Sequence, residues 1–362
     1  MTPDTGAIGV DVETHVVTVD VESGAVRSTP AGGGDARAVG VLEAVPQARE
    51  ERLGTLLGSA DRLPRSEAEL RLGRHHHRAF GLDIGSDIRL DDSDVKGGDP
   101  DVVVRAAYAD DAAADHASIE ITPEHAAIRD PRVGRFEVAG GERIEGVIAP
   151  GAHESVVRLF LVGPCFALLL RQRGFVVLHA SAVAVEGAAV CMIGAGYAGK
   201  STTARLLHAR GHAAVTDDLL ALRIAPGGAA EAVPGFQELR LWPDAIDGTE
   251  AGALGSSLVH PGLDKRSLVP GAVTMDPLPI ARIYSLEWGE RLGVERLALD
   301  DALFALLTHS DEYVIHGVVA MGQLARYVEE CASVARRTPV YRLVRPHAMA
   351  ELGAVAAAIL SP

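Results

Sequence analysis

At 362 residues the chain is longer than one typical domain, and 48% hydrophobic against 23% charged content allows a sizeable core. Its 34 basic and 49 acidic residues leave a formal charge of −15, which repels nucleic acid and anionic membranes, so neither is expected as a partner. Cys165, Cys191 and Cys331 lie far apart in apolar surroundings without a Cys-x-x-Cys pair, which argues against a zinc site and predicts reduced core thiols in a cytoplasmic protein.

The opening segment, Met1 to Gly9, carries an acid, Asp4, and lacks the basic, apolar and small-residue order of a secretion signal. Val17, Val19 and Val21 alternate before Glu22-Ser23-Gly24 and Ala25-Val26, a strand-turn-strand pattern that Gly32-Gly33-Gly34 ends. A short helix is predicted from Gln47 to Ser59, and the charged stretch from Arg65 to His77 reads as a linker. The run His75-His76-His77 does not predict a metal site, because neighbouring side chains diverge on a helix or a strand. Residues 1–77 are therefore expected to be an N-terminal extension and linker.

A small β-rich domain is predicted over 78–150, with strands at Ala79–Ile84, Asp101–Arg105, Ala126–Ile128 and Gly134–Val138. Asp91, Asp92, Asp94 and Asp99 miss the calcium-loop spacing and predict a solvated turn. The apolar run from Leu159 to Leu170, bracketed by Arg158 and Arg171, falls short of the about 20 residues a membrane span needs and predicts a buried helix.

Two apolar runs, Phe175 to Val185 and Ala188 to Ile193, flank Glu186-Gly187 and predict a hairpin. Its second strand leads into Gly194-Ala195-Gly196-Tyr197-Ala198-Gly199-Lys200-Ser201, an ungapped G-x-x-x-x-G-K-[ST] phosphate loop. The glycines at 194, 196 and 199 are expected to curl the backbone so that amides face phosphate oxygens, with the start of a helix over 201–210 adding its positive end. Lys200 would reach the β- and γ-phosphates of ATP, and the Ser201 hydroxyl would ligate Mg²⁺; Thr202 completes the nucleotide-binding stretch.

The helix, with Ala204, Leu206 and Leu207 inward, ends before Gly211, and a short strand from His212 to Thr216 ends at Asp217-Asp218. Adjacent acids at a strand end can divide two tasks of phosphoryl transfer: holding the metal and taking the acceptor's proton. Asp217 is assigned to the base and Asp218 to the metal, with the reverse order open. Asp300-Asp301, before an apolar helix, predicts a helix cap.

The set formed by Leu178-His179-Ala180-Ser181, the hairpin, Gly194 to Thr202, Gly211 and Thr216-Asp217-Asp218 resembles the catalytic domain of HPr serine kinase/phosphorylase and its relatives. That resemblance implies an α/β fold with a mixed sheet, a phosphoenolpyruvate carboxykinase-like phosphate-loop core over 151–362, and His179 near the transferred phosphate. Glu238-Leu239-Arg240 is similar to the family's Glu-Ile-Arg element, which implies active-site roles for Glu238 and Arg240. Leu241-Trp242-Pro243-Asp244 then departs from the family pattern and is similar to HPr-kinase-like proteins of peptide-modification systems, including lasso-peptide kinases. Lys265 and Arg266 are placed as added phosphate contacts by the same resemblance.

The expected activity is transfer of the ATP γ-phosphate to a serine hydroxyl of a peptide or small protein, with self-association left open. A kinase for a hydroxy amino acid, and a nucleotide sensor without turnover, are the alternatives.

Overall fold

The computed structural model describes residues 7–12, 15–20, 26–30, 72–92, 95–109, 117–241, 256–260 and 263–361. The predicted turn at Glu22-Ser23-Gly24, the triple glycine, the helix from Gln47 to Ser59, Asp94 and Trp242-Pro243-Asp244 lie outside these residues, as does the predicted linker up to residue 71.

The first strands, β1 (Ala7–Val12), β2 (His15–Asp20) and β3 (Val26–Pro30), pair antiparallel in sequence order. A seven-stranded mixed sheet follows, built from β4 (His75–Ala79), β5 (Leu82–Ser86), β6 (Val102–Tyr108), β7 (Ser118–Ile121), β8 (His125–Asp130), β9 (Gly134–Ala139) and β10 (Arg143–Ile148), in the order β4-β5-β6-β10-β9-β8-β7.

Three expectations are corrected in this sheet. The histidine run opens β4 rather than closing a linker, because strand alternation turns His77 into the core. There its Nδ1 lies 2.8 Å from Asp91 Oδ1 while its Nε2 accepts from the Leu90 amide at 3.2 Å. Asp91 is thus a buried partner, not part of a solvated turn. The run Ala79 to Ile84 is a hairpin turn, not one strand: Phe80 and Gly81 both take positive φ (56° and 68°), the backbone of a tight two-residue connection.

The apolar run after Pro150 forms α1 (Glu154–Phe160), a wider π turn (Leu161–Cys165) and α2 (Phe166–Gln172) in succession. Pro164, which has no amide hydrogen to donate, sits inside the π turn. Every buried residue from Val156 to Arg171 is apolar except Arg171 itself, whose Nη1 donates to Glu330 at 2.6 Å. The predicted buried helix is present and extends beyond both predicted ends.

The large sheet comprises β11 (Val176–Leu178), β12 (Ala180–Val185) and β13 (Ala188–Ile193); then, after α3 (Lys200–Ala209), β14 (Ala213–Thr216), β15 (Leu220–Ile224) and β16 (Ala230–Val233). After β17 (Leu239–Leu241), β18 (Ser256–His260) and β19 (Leu263–Leu268), which make a separate three-stranded sheet, it gains β20 (Leu278–Trp288) and β21 (Gly293–Arg296). Helices α4 (Leu299–Thr308), α5 (Glu312–Ala320) and α6 (Leu324–Arg337) lead to β22 (Val340–Arg345) and the closing α7 (Leu352–Leu360). The order is β11-β15-β16-β20-β13-β12-β14, with β22 beside β20 and β21 beside β22. The apolar run predicted as one strand from Phe175 to Val185 breaks at His179, so β11 and β12 pair with different neighbours. Asp300 and Asp301 sit in the first turn of α4 behind an Ala298 N-cap, so they complement the helix dipole rather than cap it.

Alternation along β13 sets the layers. Val190 and Met192 join Ala204 and Leu207 of α3 and Val355 and Ile359 of α7 on one face. Ala189, Cys191 and Ile193 join α1, α2, α4 and α6 on the other, in a core that continues to Phe80 and Phe136 of the seven-stranded sheet. All three cysteines are buried and free, and burial pushes the Cys191 thiol up to about 12.

Strand direction fixes what the large sheet presents. β13 runs parallel to β20, and β20 to β22, while β14 and β13 are both antiparallel to β12. The carboxyl ends of β22, β20, β13 and β14 therefore line one edge in that order, where open α/β sheets place their ligands.

Candidate active site

The loop after β13 has the curl its sequence calls for, with one difference in where the left-handed positions fall. Gly194 has φ 151° and Gly199 φ 89°, and the third such residue is Tyr197 at φ 63°, not Gly196. A side chain at Gly194 would put its Cβ 2.9 Å from the Leu286 carbonyl oxygen, whereas one at Gly196 would meet nothing. The tip residues Ala195, Gly196 and Tyr197 are exposed, and Ala198 anchors the loop in the core.

α3 starts at Lys200 behind Gly199 without a side-chain cap, and its orphan first-turn amides are the natural seat for an anion. Lys200 is buried and folds back on its own loop, donating from Nζ to the Gly194 carbonyl at 2.8 Å and the Ala195 carbonyl at 3.0 Å. On the inner side of α3, Ala204 and Leu207 are fully buried, and Leu206 is only partly so.

In the first turn of α3, the Ser201 hydroxyl donates to Asp217 Oδ1 at 2.9 Å. The same oxygen accepts from the Ser181 hydroxyl at 2.5 Å, and Oδ2 accepts from the Arg240 amide at 2.9 Å. Both oxygens of Asp217 are thus engaged by donors, and the acid that Ser201 meets is Asp217.

Asp218 takes positive φ (74°), which turns its carboxylate away from its neighbour's partners. Its Oδ2 lies 3.1 Å from Arg240 Nη1 and its Oδ1 3.3 Å from His179 Nδ1. His179 Nδ1 also bonds the Asp218 backbone carbonyl at 3.0 Å; a carbonyl only accepts, so this nitrogen carries the proton. His179 and Asp218 each keep about a fifth of their side chains open to solvent.

Behind them, Arg240 spends two more donors on Glu238 Oε2, at 3.2 Å and 3.0 Å. Arg158 of α1 reaches Glu238 Oε1 at 3.3 Å, and the Ser267 hydroxyl donates to the same oxygen. Burial pushes Glu238 upward, but the charges of Arg240 and Arg158 and the bonds from Ser267 and Arg240 outweigh it and hold the carboxyl below its ordinary value. Burial likewise lowers Arg240, and Glu238, Asp218 and Asp217 more than reverse it.

Lys265 and Arg266 are half-buried on β19, where Arg266 pairs with Leu241 and Ser267 with Arg240. Alternation places Lys265 on the Ser267 face and Arg266 on the opposite one. The residue of this strand that reaches Glu238 is Ser267.

Several neighbours escaped sequence reasoning. The His309 backbone carbonyl accepts from the His179 amide at 2.9 Å, and burial together with the charge of Lys200 holds its imidazole down at about 4. On the other side of the loop, Arg345 at the end of β22 donates to Thr203 Oγ1 at 3.0 Å and to the Gly199 carbonyl at 3.5 Å. Its guanidinium lies 4.4 Å from the centre of the Trp288 ring, and Trp288 Nε1 donates to the Tyr197 carbonyl at 3.1 Å.

Among known proteins, the HPr(Ser) kinase/phosphatase from Coxiella burnetii has a solved structure similar to this chain at 13% identity and a TM-score of 0.26, over 50% of this chain and 93% of that one. No protein-family model matches, and no curated protein matches. At that identity and TM-score, the chemistry of the site has to be read from its own atoms.

Those atoms suit a hard divalent cation shared with phosphate. The Ser201 hydroxyl and the Asp217 carboxylate are oxygen donors already in contact, and Mg²⁺ takes one or two protein oxygens beside substrate phosphates. Among the described residues no group of three or more His, Cys, Asp or Glu is arranged to hold a metal ion by itself, which a site of that type does not require. Among the described residues, too, no helix is long and apolar enough to cross a membrane.

Proposed function

We propose that this chain is an ATP-dependent phosphotransferase with a phosphoenolpyruvate carboxykinase-like core, carrying the γ-phosphate to a serine hydroxyl of a peptide or small protein. The observation that carries this is the contact of Ser201 with Asp217 at the mouth of a loop whose lysine is buried against it. A turn that matched the phosphate-loop pattern by chance would have no reason to gather a strand-end carboxylate onto the serine.

In this reading Lys200 leaves its loop carbonyls for the terminal phosphates, and the first-turn amides of α3 take the remaining phosphate oxygens. Ser201 and Asp217 would hold Mg²⁺, which supplies charge neutralisation for the phosphates. Of the two orders open for the acids, the geometry favours Asp217 for the metal and Asp218 for the base. Asp217 has both oxygens engaged beside Ser201, while Asp218 is partly open and flanked by His179. Arg240 keeps the Asp218 carboxylate aimed, and because Glu238 holds two of its donors the guanidinium is shared between two acids. His179, beside Asp218, would orient the acceptor hydroxyl or the phosphoryl oxygens.

The serine acceptor rests on the resemblance carried by Leu178 to Ser181 and Glu238 to Arg240, and its peptide character, in the style of lasso-peptide kinases, on that of Leu241 to Asp244. The test is ADP release from ATP and Mg²⁺ with a panel of serine peptides, small proteins and free hydroxy amino acids. Acceptor-dependent ADP with a phosphoserine product is expected; nucleotide binding without turnover across the panel would show a sensor instead.

A further inference from the structure

Accepting the phosphate loop proposed above, we propose that the nucleotide's purine base docks on a platform of Tyr197 and His347, backed by Trp288, at the opposite end of the sheet edge from Asp217 and Asp218. The strand order supplies the direction. With the carboxyl ends running β22, β20, β13, β14, the phosphate loop after β13 stands between the acids after β14 and the aromatic residues after β20 and β22. A nucleoside triphosphate laid with its γ-phosphate toward the acids has its base at the other end.

What stands there is a built stack. The His347 ring lies 3.8 Å from the Trp288 ring, centre to centre, and only 11° from parallel. Arg345 sits 4.4 Å from the centre of the same Trp288 ring. The tier of Arg345, Trp288 and His347 links the Gly199 carbonyl to an exposed imidazole. Trp288 Nε1 ties the tier to the carbonyl of Tyr197, a residue 64% exposed at a positive φ that costs a non-glycine residue energy.

Arg345 adds a second, independent observation. It is 2% exposed, its Nε has no hydrogen-bond partner, and among the described residues no carboxylate pairs with it. A buried, uncompensated cation beneath a phosphate loop favours an anion above it, and its aromatic cap presents a flat surface to whatever that anion carries. Stacking on such surfaces accepts any base, so the platform binds purines by area rather than by reading their edges.

The test compares binding of ATP and of inorganic tripolyphosphate, each with Mg²⁺, to the full chain and to the variant His347→Ala. The His347 side chain is exposed and lies outside the phosphate loop, so the fold and the loop are expected to survive, and tripolyphosphate reports the loop alone. The affinity for ATP should fall roughly tenfold while that for tripolyphosphate stays put. An unchanged ratio of the two affinities overturns the platform and leaves the phosphate loop standing. An equal loss of both ligands overturns it too, since the platform would then serve the loop and not the base. If the unsubstituted chain binds neither ligand, the phosphate loop and the platform fall together.

Discussion

Ser201 Oγ and Asp217 Oδ1 meet at 2.9 Å across a separation of 16 residues, joining the first turn of a helix to the end of the next strand. This contact divides the acidic pair, because Asp218 faces the other way, toward His179 and Arg240.

The division predicts different phenotypes for the two acids. Asp218→Asn should keep nucleotide binding and lower transfer by about 10²- to 10⁴-fold, the usual worth of a general base. Asp217→Asn should raise the Mg²⁺ concentration needed for half-maximal binding of ATP. Magnesium titrations of ATP binding, run beside single-turnover rates, separate them; exchanged phenotypes would restore the order in which Asp217 is the base.

Lys200→Ala removes the loop's one long cation and should cost nucleotide affinity and all measurable transfer. A variant that turns over ATP at the unsubstituted rate would end the assignment of residues 194–201 as a phosphate loop.

Two glycines of the same loop should behave in opposite ways. At Gly194 a methyl group meets the rigid Leu286 carbonyl at 2.9 Å on a backbone that only glycine adopts easily, so Gly194→Ala should lose roughly 1–3 kcal/mol. Gly196→Ala meets nothing and has no positive φ to maintain, so its urea midpoint should stay within about 0.5 kcal/mol of the parent. Equal losses at both positions would mean that the curl sits elsewhere.

His309 predicts an acid sensitivity. Its ordinary value of 6.5 is lowered to about 4, first by burial and then by Lys200. The unfolded imidazole takes its proton as pH falls through 6.5, whereas the folded one waits until about 4. Stability is therefore undiminished above pH 6.5 and falls steadily across that window. Urea midpoints of His309→Gln should decline less between pH 6.5 and 4 than those of the parent; parallel curves would refute the assignment.

His77 carries a prediction about packing. His77→Ala leaves Asp91 buried without its nearest partner and should cost about 2 kcal/mol, read by denaturation. A silent substitution would mean that solvent reaches Asp91.

What could be read directly from the residues was local. The apolar run Ala188 to Ile193 after a short turn, the loop pattern and the apolar spacing of α3 placed the strand, the loop and the helix before any contact was known. Arg240's clamp on Asp218, and Ser267's bond to Glu238, depend on β17 and β19 lying beside the acids, which no local pattern encodes. The histidine strand was hidden because its satisfying partner, Asp91, sits 14 residues on, and polar residues in series look like surface. Trp288 meets Tyr197 across 91 residues, through parallel neighbours that only the sheet order reveals. Tyr197 also showed that a left-handed turn need not fall on the glycine supplied for it.

Because Lys200 grips the carbonyls of Gly194 and Ala195, the cradle keeps its shape with no guest inside. An arriving anion trades places with two backbone oxygens instead of gathering a slack segment, so little further ordering is required at the moment of capture. The exchange also runs backward: once a product's hold weakens, the ammonium has internal acceptors waiting, and departure is helped by the molecule's own backbone.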